Sequence, residues 1–190
     1  MQQPNKAAST VPVTAKQEAD NSGPRSWAWG EAGVWTERML AALENGVTGG
    51  RGYSLRDKVY AVRTLEAAWK RVAVNRGAAG VDRVSVQRFA RQAARYLAEV
   101  AQELRDGSYR PEPVRRGYIP KGQGRTRPLG MATVKDRIAQ AAVKLVLEPI
   151  FEREFLPCSF GFRPARSSKD AVREVAGWLK AGYSWVVALA

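Results

Sequence analysis

The chain contains no histidine, and among its 190 residues only one cysteine, Cys158. The first absence excludes every Ser–His or Cys–His mechanism and every His-ligated metal site. The second excludes an intramolecular disulfide. A lone cysteine is expected to be a small buried hydrophobe. Any chemistry must rest on carboxylates, Lys, Arg, Tyr or an external metal. No uninterrupted apolar run is long enough to span a bilayer, and no basic start precedes an apolar core as in a signal peptide. These absences set the expectation of a cytoplasmic protein; they leave its oligomeric state open. Acidic residues are also scarce, 18 against 31 basic ones, for a formal net charge of +13. That excess favours a polyanionic partner, nucleic acid ahead of an anionic membrane surface.

Residues 1–26 are polar, without apolar period, and read as a disordered tail. Residues 27–53 form an N-terminal helical extension, with Trp27, Trp29 and Trp35 close together and a helix over 35–45. Leu55, Val59, Val62, Leu65, Trp69 and Val72 predict one helix over 54–74, started by Ser54 and Asp57. A second helix is predicted over 86–105, with Val86, Phe89, Leu97 and Val100 on one face and Gly107 as its stop. Pro111 and Pro113 exclude helix there, and 114–119 and 126–129 read as the arms of a hairpin. A helix follows from Val134 to Leu147, and Pro149 suits the first position of a further short turn. Ser167 and Asp170 cap a last helix expected to bury Ala171, Val172, Val175, Trp178 and Leu179. Residues 183–190 are continuously apolar, as in a strand covered on both faces.

Three constellations carry chemistry. In YIPKGQGRTRPLG (118–130), Lys121, Arg125 and Arg127 crowd around Gly122 and Gly124, with Arg115 and Arg116 on the incoming arm. Backbone N–H groups and fixed cations on such a ribbon suit a phosphate or triphosphate. Spacing alone fits a solvated edge kept soluble by charge equally well. In NRGAAGVD (75–82), Gly77 and Gly80 let a loop bearing Asn75 and Arg76 approach a phosphodiester backbone; an ordinary interhelical loop has the same composition. In SFGFRPAR (159–166), Phe160, Phe162, Arg163 and Arg166 fit base stacking with phosphate contact, or a local core.

Taken in order, NRGAAGVD (75–82), SYRPEPVRRGYIPKGQGRTRPLG (108–130), TVKDRIAQAAVKLVLEPIFEREF (133–155), SFGFRPARSSKDAV (159–172) and YSWVV (183–187) closely resemble the N-terminal part of a group II intron-encoded reverse transcriptase/maturase. The resemblance implies an α+β chain: the mostly helical fingers of a right-hand polymerase over 54–182, with a β-hairpin, and the first palm strand over 183–190. It implies that Arg115, Lys121 and Arg127 contact the triphosphate of an incoming dNTP. It implies that Asn75, Arg76, Gly77, Arg125 and Arg163 face RNA, either intron RNA or a template–primer. The family's magnesium-dependent polymerisation needs palm aspartates, whereas the matching positions here are Ala188 and Ala190. Alanine offers no oxygen to a hard cation, so no magnesium is expected at that site. The rest of the palm and the thumb lie outside the matched motifs. The chain alone is therefore expected not to polymerise DNA. The alternatives are a non-catalytic RNA-binding module that assists intron folding and a truncated product without function. Arg83 departs from the family, which usually has glycine there.

Overall fold

A computed structural model describes residues 33–45, 54–185 and 187. It is an α+β structure of seven helices and one hairpin among those residues, in the order α1 (Glu37–Asn45), α2 (Leu55–Tyr60), α3 (Val62–Val74), α4 (Val86–Ala90), α5 (Ala93–Asp106), β1 (Arg115–Gly122), β2 (Arg125–Met131), α6 (Val134–Glu154) and α7 (Ser168–Lys180). No described helix is long and apolar enough to cross a membrane. The tail expected over 1–26, with Trp27 and Trp29, lies outside the described residues.

The core forms where the apolar faces of α1, α3, α4, α5 and α6 meet. Val34, Trp35, Leu65, Val72, Phe89, Leu97, Val100, Ile138 and Val146 are all buried there. Each fully buried side chain of this size contributes about 1.5–3 kcal/mol. Trp69, Phe89 and Tyr96 stack in series, with centroids 4.8 Å apart at each step. The two predicted caps act as expected, Ser54 and Ser167 each accepting a hydrogen bond from the backbone N–H three residues on, and Ser85 does the same for α4.

Two helices predicted as continuous are broken. Ala61 is extended (ψ 133) between α2 and α3, and the chain turns at Arg91 and Gln92 between α4 and α5. The first break lets α2 reach the end of α5, where the Arg56 Nη2 donates to the carbonyls of Leu104 and Arg105 (3.2 and 2.7 Å). A cation on the last carbonyls of a helix satisfies acceptors that the helix itself leaves open.

A break predicted at Pro149 is absent: α6 runs through it, with Pro149 buried inside the helix. Proline has no N–H, so the carbonyl four residues back loses its helical donor. That carbonyl belongs to Leu145, and the indole N–H of buried Trp35 donates to it at 3.2 Å. Trp35, on the turn just before α1, therefore supplies the donor that Pro149 lacks. Trp35→Phe should lower stability by about 1 kcal/mol, one net hydrogen bond. Adding Pro149→Ala restores a backbone donor and should recover most of that loss. Urea denaturation of the four members of this cycle checks it; additive losses would contradict the assignment.

Three expectations for the residues after α6 are corrected. No residue of α7 is buried: Val172 is 67 % exposed, and Val175, Trp178 and Leu179 are also exposed. The helix is amphipathic, but its apolar stripe lacks a packing surface among the described residues. Residues 183–185 and 187 form no strand, because both described strands pair with each other. Tyr183 instead packs edge-on against Trp178, 5.4 Å between centroids. Ala188 and Ala190 lie outside the described residues. Cys158, expected to be buried, is exposed on the turn after α6.

Candidate nucleic-acid interface

The basic segment folds as an antiparallel ribbon in which Arg115 faces Met131, Gly117 faces Leu129 and Ile119 faces Arg127. Opposed residues share a face, so Arg115 and Arg127 lie on the same side, and Arg125 joins them by alternation. Arg116, paired with Gly130, lies on the other side. Gln123 (φ 50) and Gly124 (φ 69) are both left-handed, the signature of a tight type I′ hairpin turn. The register slips between Pro120 and Gly122, leaving Lys121 unpaired in a bulge next to the turn. Gly122 (φ 84) gives the backbone freedom that this bulge requires. From residue 113 to 135 the sequence has six basic and no acidic residues. Nearly every strand residue is exposed, so the charge stands clear of the helical core.

The roots of the ribbon meet at the start of α6. Asp136 is 2 % exposed. Its Oδ2 accepts from the Thr133 hydroxyl (2.7 Å) and from the Glu112 backbone N–H (3.2 Å), and its Oδ1 accepts from the Tyr109 hydroxyl. Thr133 in turn caps α6 by accepting from the Asp136 N–H at 3.1 Å. One carboxylate thus holds the chain before β1 and after β2. The Tyr109 hydroxyl is pushed well above its ordinary pKa, first by burial and then by its bond to Asp136, so it remains a donor. The sequence reading missed this network. Thr133 and Asp136 have the same spacing as the Ser54/Asp57 and Ser167/Asp170 caps, which would have located the cap but not Tyr109.

The loop at 75–82 docks on the same place. The Arg137 Nη2 donates to the Ala78 carbonyl (2.7 Å), and its Nε donates to the Thr133 carbonyl (3.4 Å). A Cβ on Gly80 would lie 2.7 Å from the Thr133 N and Cα, and one on Gly77 would meet the Arg137 guanidinium at 2.3 Å. Both glycines are thus needed for close approach. Asn75 ends α3, and Arg76 (φ 45) and Arg83 (φ 55) adopt left-handed backbone, rare for arginine. Arg83 holds the conformation that the glycine usual in resembling sequences would adopt freely.

Arg163 sits in a different setting from the hairpin cations. Its side chain is 7 % exposed and pairs with Glu152 (Nη2–Oε1 2.6 Å), itself 15 % exposed. Its Nη1 donates to the carbonyls of Leu156 and Ser159, both at 2.8 Å, and its guanidinium lies 5.2 Å from the centre of the Phe155 ring. It braces the turn between α6 and α7. On that turn Phe162 (φ 58) is fully exposed, and Arg166 lies over Phe160 at 5.3 Å. Asn75, Arg76 and Gly77 are therefore placed beside the hairpin root, while Arg115, Arg125 and Arg127 share a ribbon face.

No protein-family model matches the chain. Protein YkfC of Escherichia coli (strain K12) is 45% identical over 96 residues, 50% of this chain and 25% of that protein. The group II intron-encoded protein LtrA of Lactococcus lactis subsp. cremoris is 36% identical over 126 residues, 65% of this chain and 20% of LtrA. Nuclear intron maturase 2, mitochondrial, of Arabidopsis thaliana is 42% identical over 53 residues, 28% of this chain and 7% of that maturase. The chain spans about a quarter or less of the length of these relatives. Its similarity to several intron-encoded proteins agrees with the motif order along its sequence. The chain is thus similar, over part of their length, to group II intron-encoded proteins and to an intron maturase.

Proposed function

We propose that this chain is the fingers region of a reverse transcriptase/maturase, binding RNA and, through its hairpin, the triphosphate of a dNTP. The observation that carries this reading is the ribbon: five cations, Arg115, Arg116, Lys121, Arg125 and Arg127, without one acidic residue, projecting from a helical core. Arg115 and Arg127 on one face, with Lys121 in the adjoining bulge, would clamp a triphosphate from one side. Asn75, Arg76 and Gly77, docked at the hairpin root, would follow an RNA backbone together with Arg125. Arg163 would serve that surface by holding the shape of its turn. Ala188 and Ala190 carry methyl groups where the family has palm carboxylates. Such side chains do not fit a magnesium ion.

RNA affinity should fall linearly in log–log form with salt, because each neutralised phosphate releases a counterion. In the hairpin variant Arg125→Ala, the salt slope should shrink by about 1, roughly one per lost phosphate contact. A wild-type affinity unchanged between low and high salt would refute RNA binding through phosphates. For the nucleotide, Lys121→Ala with Arg127→Ala at the matching positions of a full-length relative should raise the dNTP KM about tenfold, a loss of about 1.4 kcal/mol. A fall in RNA affinity with no change in nucleotide use would exclude the triphosphate role.

A further inference from the structure

We propose that Asp136 is a positioning residue that sets the basic hairpin and the loop at residues 75–82 as one RNA-facing surface. The inference rests on the reading of the hairpin as an RNA grip, and it assigns the direction of that grip to a group that touches no ligand. Tyr109 and Glu112, before β1, and Thr133, after β2, all donate to this one carboxylate. Strand residues are almost all exposed, so little else fixes where the ribbon points. The loop is keyed to the same turn, through Gly80 against the Thr133 backbone and through Arg137 to Ala78. Lys135, next to Asp136, pairs with Glu103 of α5 at 2.6 Å and anchors the turn to the core. A shift at Thr133 would therefore move hairpin and loop together. The ordinary structural role of such a buried carboxylate is stability alone, and the two roles make different predictions.

The test is a coupling measurement on the whole chain. The probe is a fluorescein-labelled RNA duplex with a single-stranded overhang, read by anisotropy at fixed salt. The proteins are wild type, Asp136→Asn, the hairpin variant Arg125→Ala, and the two combined. Asp136→Asn should weaken binding about fivefold, within the range of coupling for residues sharing one hydrogen-bond network. In the hairpin-variant background the same change should have a clearly smaller effect, because the hairpin contact it orients is gone and only the loop contacts still depend on it. An equal loss in both backgrounds would show plain destabilisation and overturn the proposal. Normal binding by Asp136→Asn, with weak binding by the hairpin variant, would overturn it while leaving the RNA grip intact. Wild-type binding by the hairpin variant would overturn both. Should Asp136→Asn fail to fold by circular dichroism, Tyr109→Phe removes one donor and keeps the charge. It should show the same dependence on background at about twofold, and a background-independent result there also overturns the proposal.

Discussion

Glu152→Ala should lower the free energy for opening the turn at residues 155–167 by about 3–5 kcal/mol, the cost of leaving a buried charge unpaired. Arg163 and Glu152 are largely withdrawn from water, and the guanidinium bonds both carboxylate oxygens and two backbone carbonyls. Removing Glu152 leaves that cation in place with only neutral acceptors. The loss should be local. α7 has no buried residue, so it adds little to the cooperativity of the core, and the thermal midpoint of the α3/α5/α6 unit should move little. Amide hydrogen exchange reads the difference: protection at Ser159 and over α7 should collapse while α6 up to Val146 stays protected. The double change Glu152→Leu with Arg163→Met removes both charges and should restore much of the protection. Equal loss in the single and double variants would mean that packing, not the charge pair, holds the turn.

Gly80→Ala is the second large effect, expected to cost about 2–3 kcal/mol of global stability through overpacking. The new methyl group would lie 2.7 Å from the N and Cα of Thr133 and 3.0 Å from the Ala132 carbonyl carbon. Those are backbone atoms, fixed by the α6 cap and by Asp136, so nothing nearby can yield cheaply. Gly77→Ala is the matched comparison. Its closest neighbour, at 2.3 Å, is the mobile end of Arg137, which can swing aside at the cost of its bond to Ala78. Gly77→Ala should therefore cost about 1 kcal/mol, one hydrogen bond. Denaturation midpoints for the two variants check the order. If Gly77→Ala proved the more damaging, the Arg137 bond rather than the Thr133 contact would be the principal anchor of the loop.

The features legible in the sequence were those written in local chemistry. The hairpin announced itself through Gly-Gln-Gly between two extended arms; β1 starts one residue later than expected and runs three further, to Gly122, and β2 extends beyond 126–129 at both ends. The Ser54, Ser167 and Gly107 boundaries followed from side-chain caps and from a left-handed glycine. The apolar periods picked out the core faces of α3, α5 and α6. What escaped depended on distant partners. The period runs unbroken across Ala61, and only the reach of Arg56 to α5 accounts for the break. Pro149 reads locally as a helix start, and the indole that makes it an interior residue lies 110 positions before the Leu145 carbonyl that it satisfies. The stripe on α7 is as regular as that on α5, yet only α5 found a face to pack on. Of the candidate site, the cations were visible as composition. Their sharing of a ribbon face followed from alternation, whereas Asp136, which no charge pattern marked, required the fold.

The ribbon also has leverage. Eight residues of β1 at about 3.3 Å each make an arm of about 25 Å from root to turn. Rotation by about 5° at the base would sweep the tip, with Lys121 and Arg125, through about 2 Å on that rise per residue. That distance separates a charge-assisted contact from none. Angular tolerance at Thr133 and Glu112 is thus magnified at the far end. Small substitutions near the pivot should act on the tip out of proportion to their size, while equal changes midway along the ribbon should act in proportion to their distance from it.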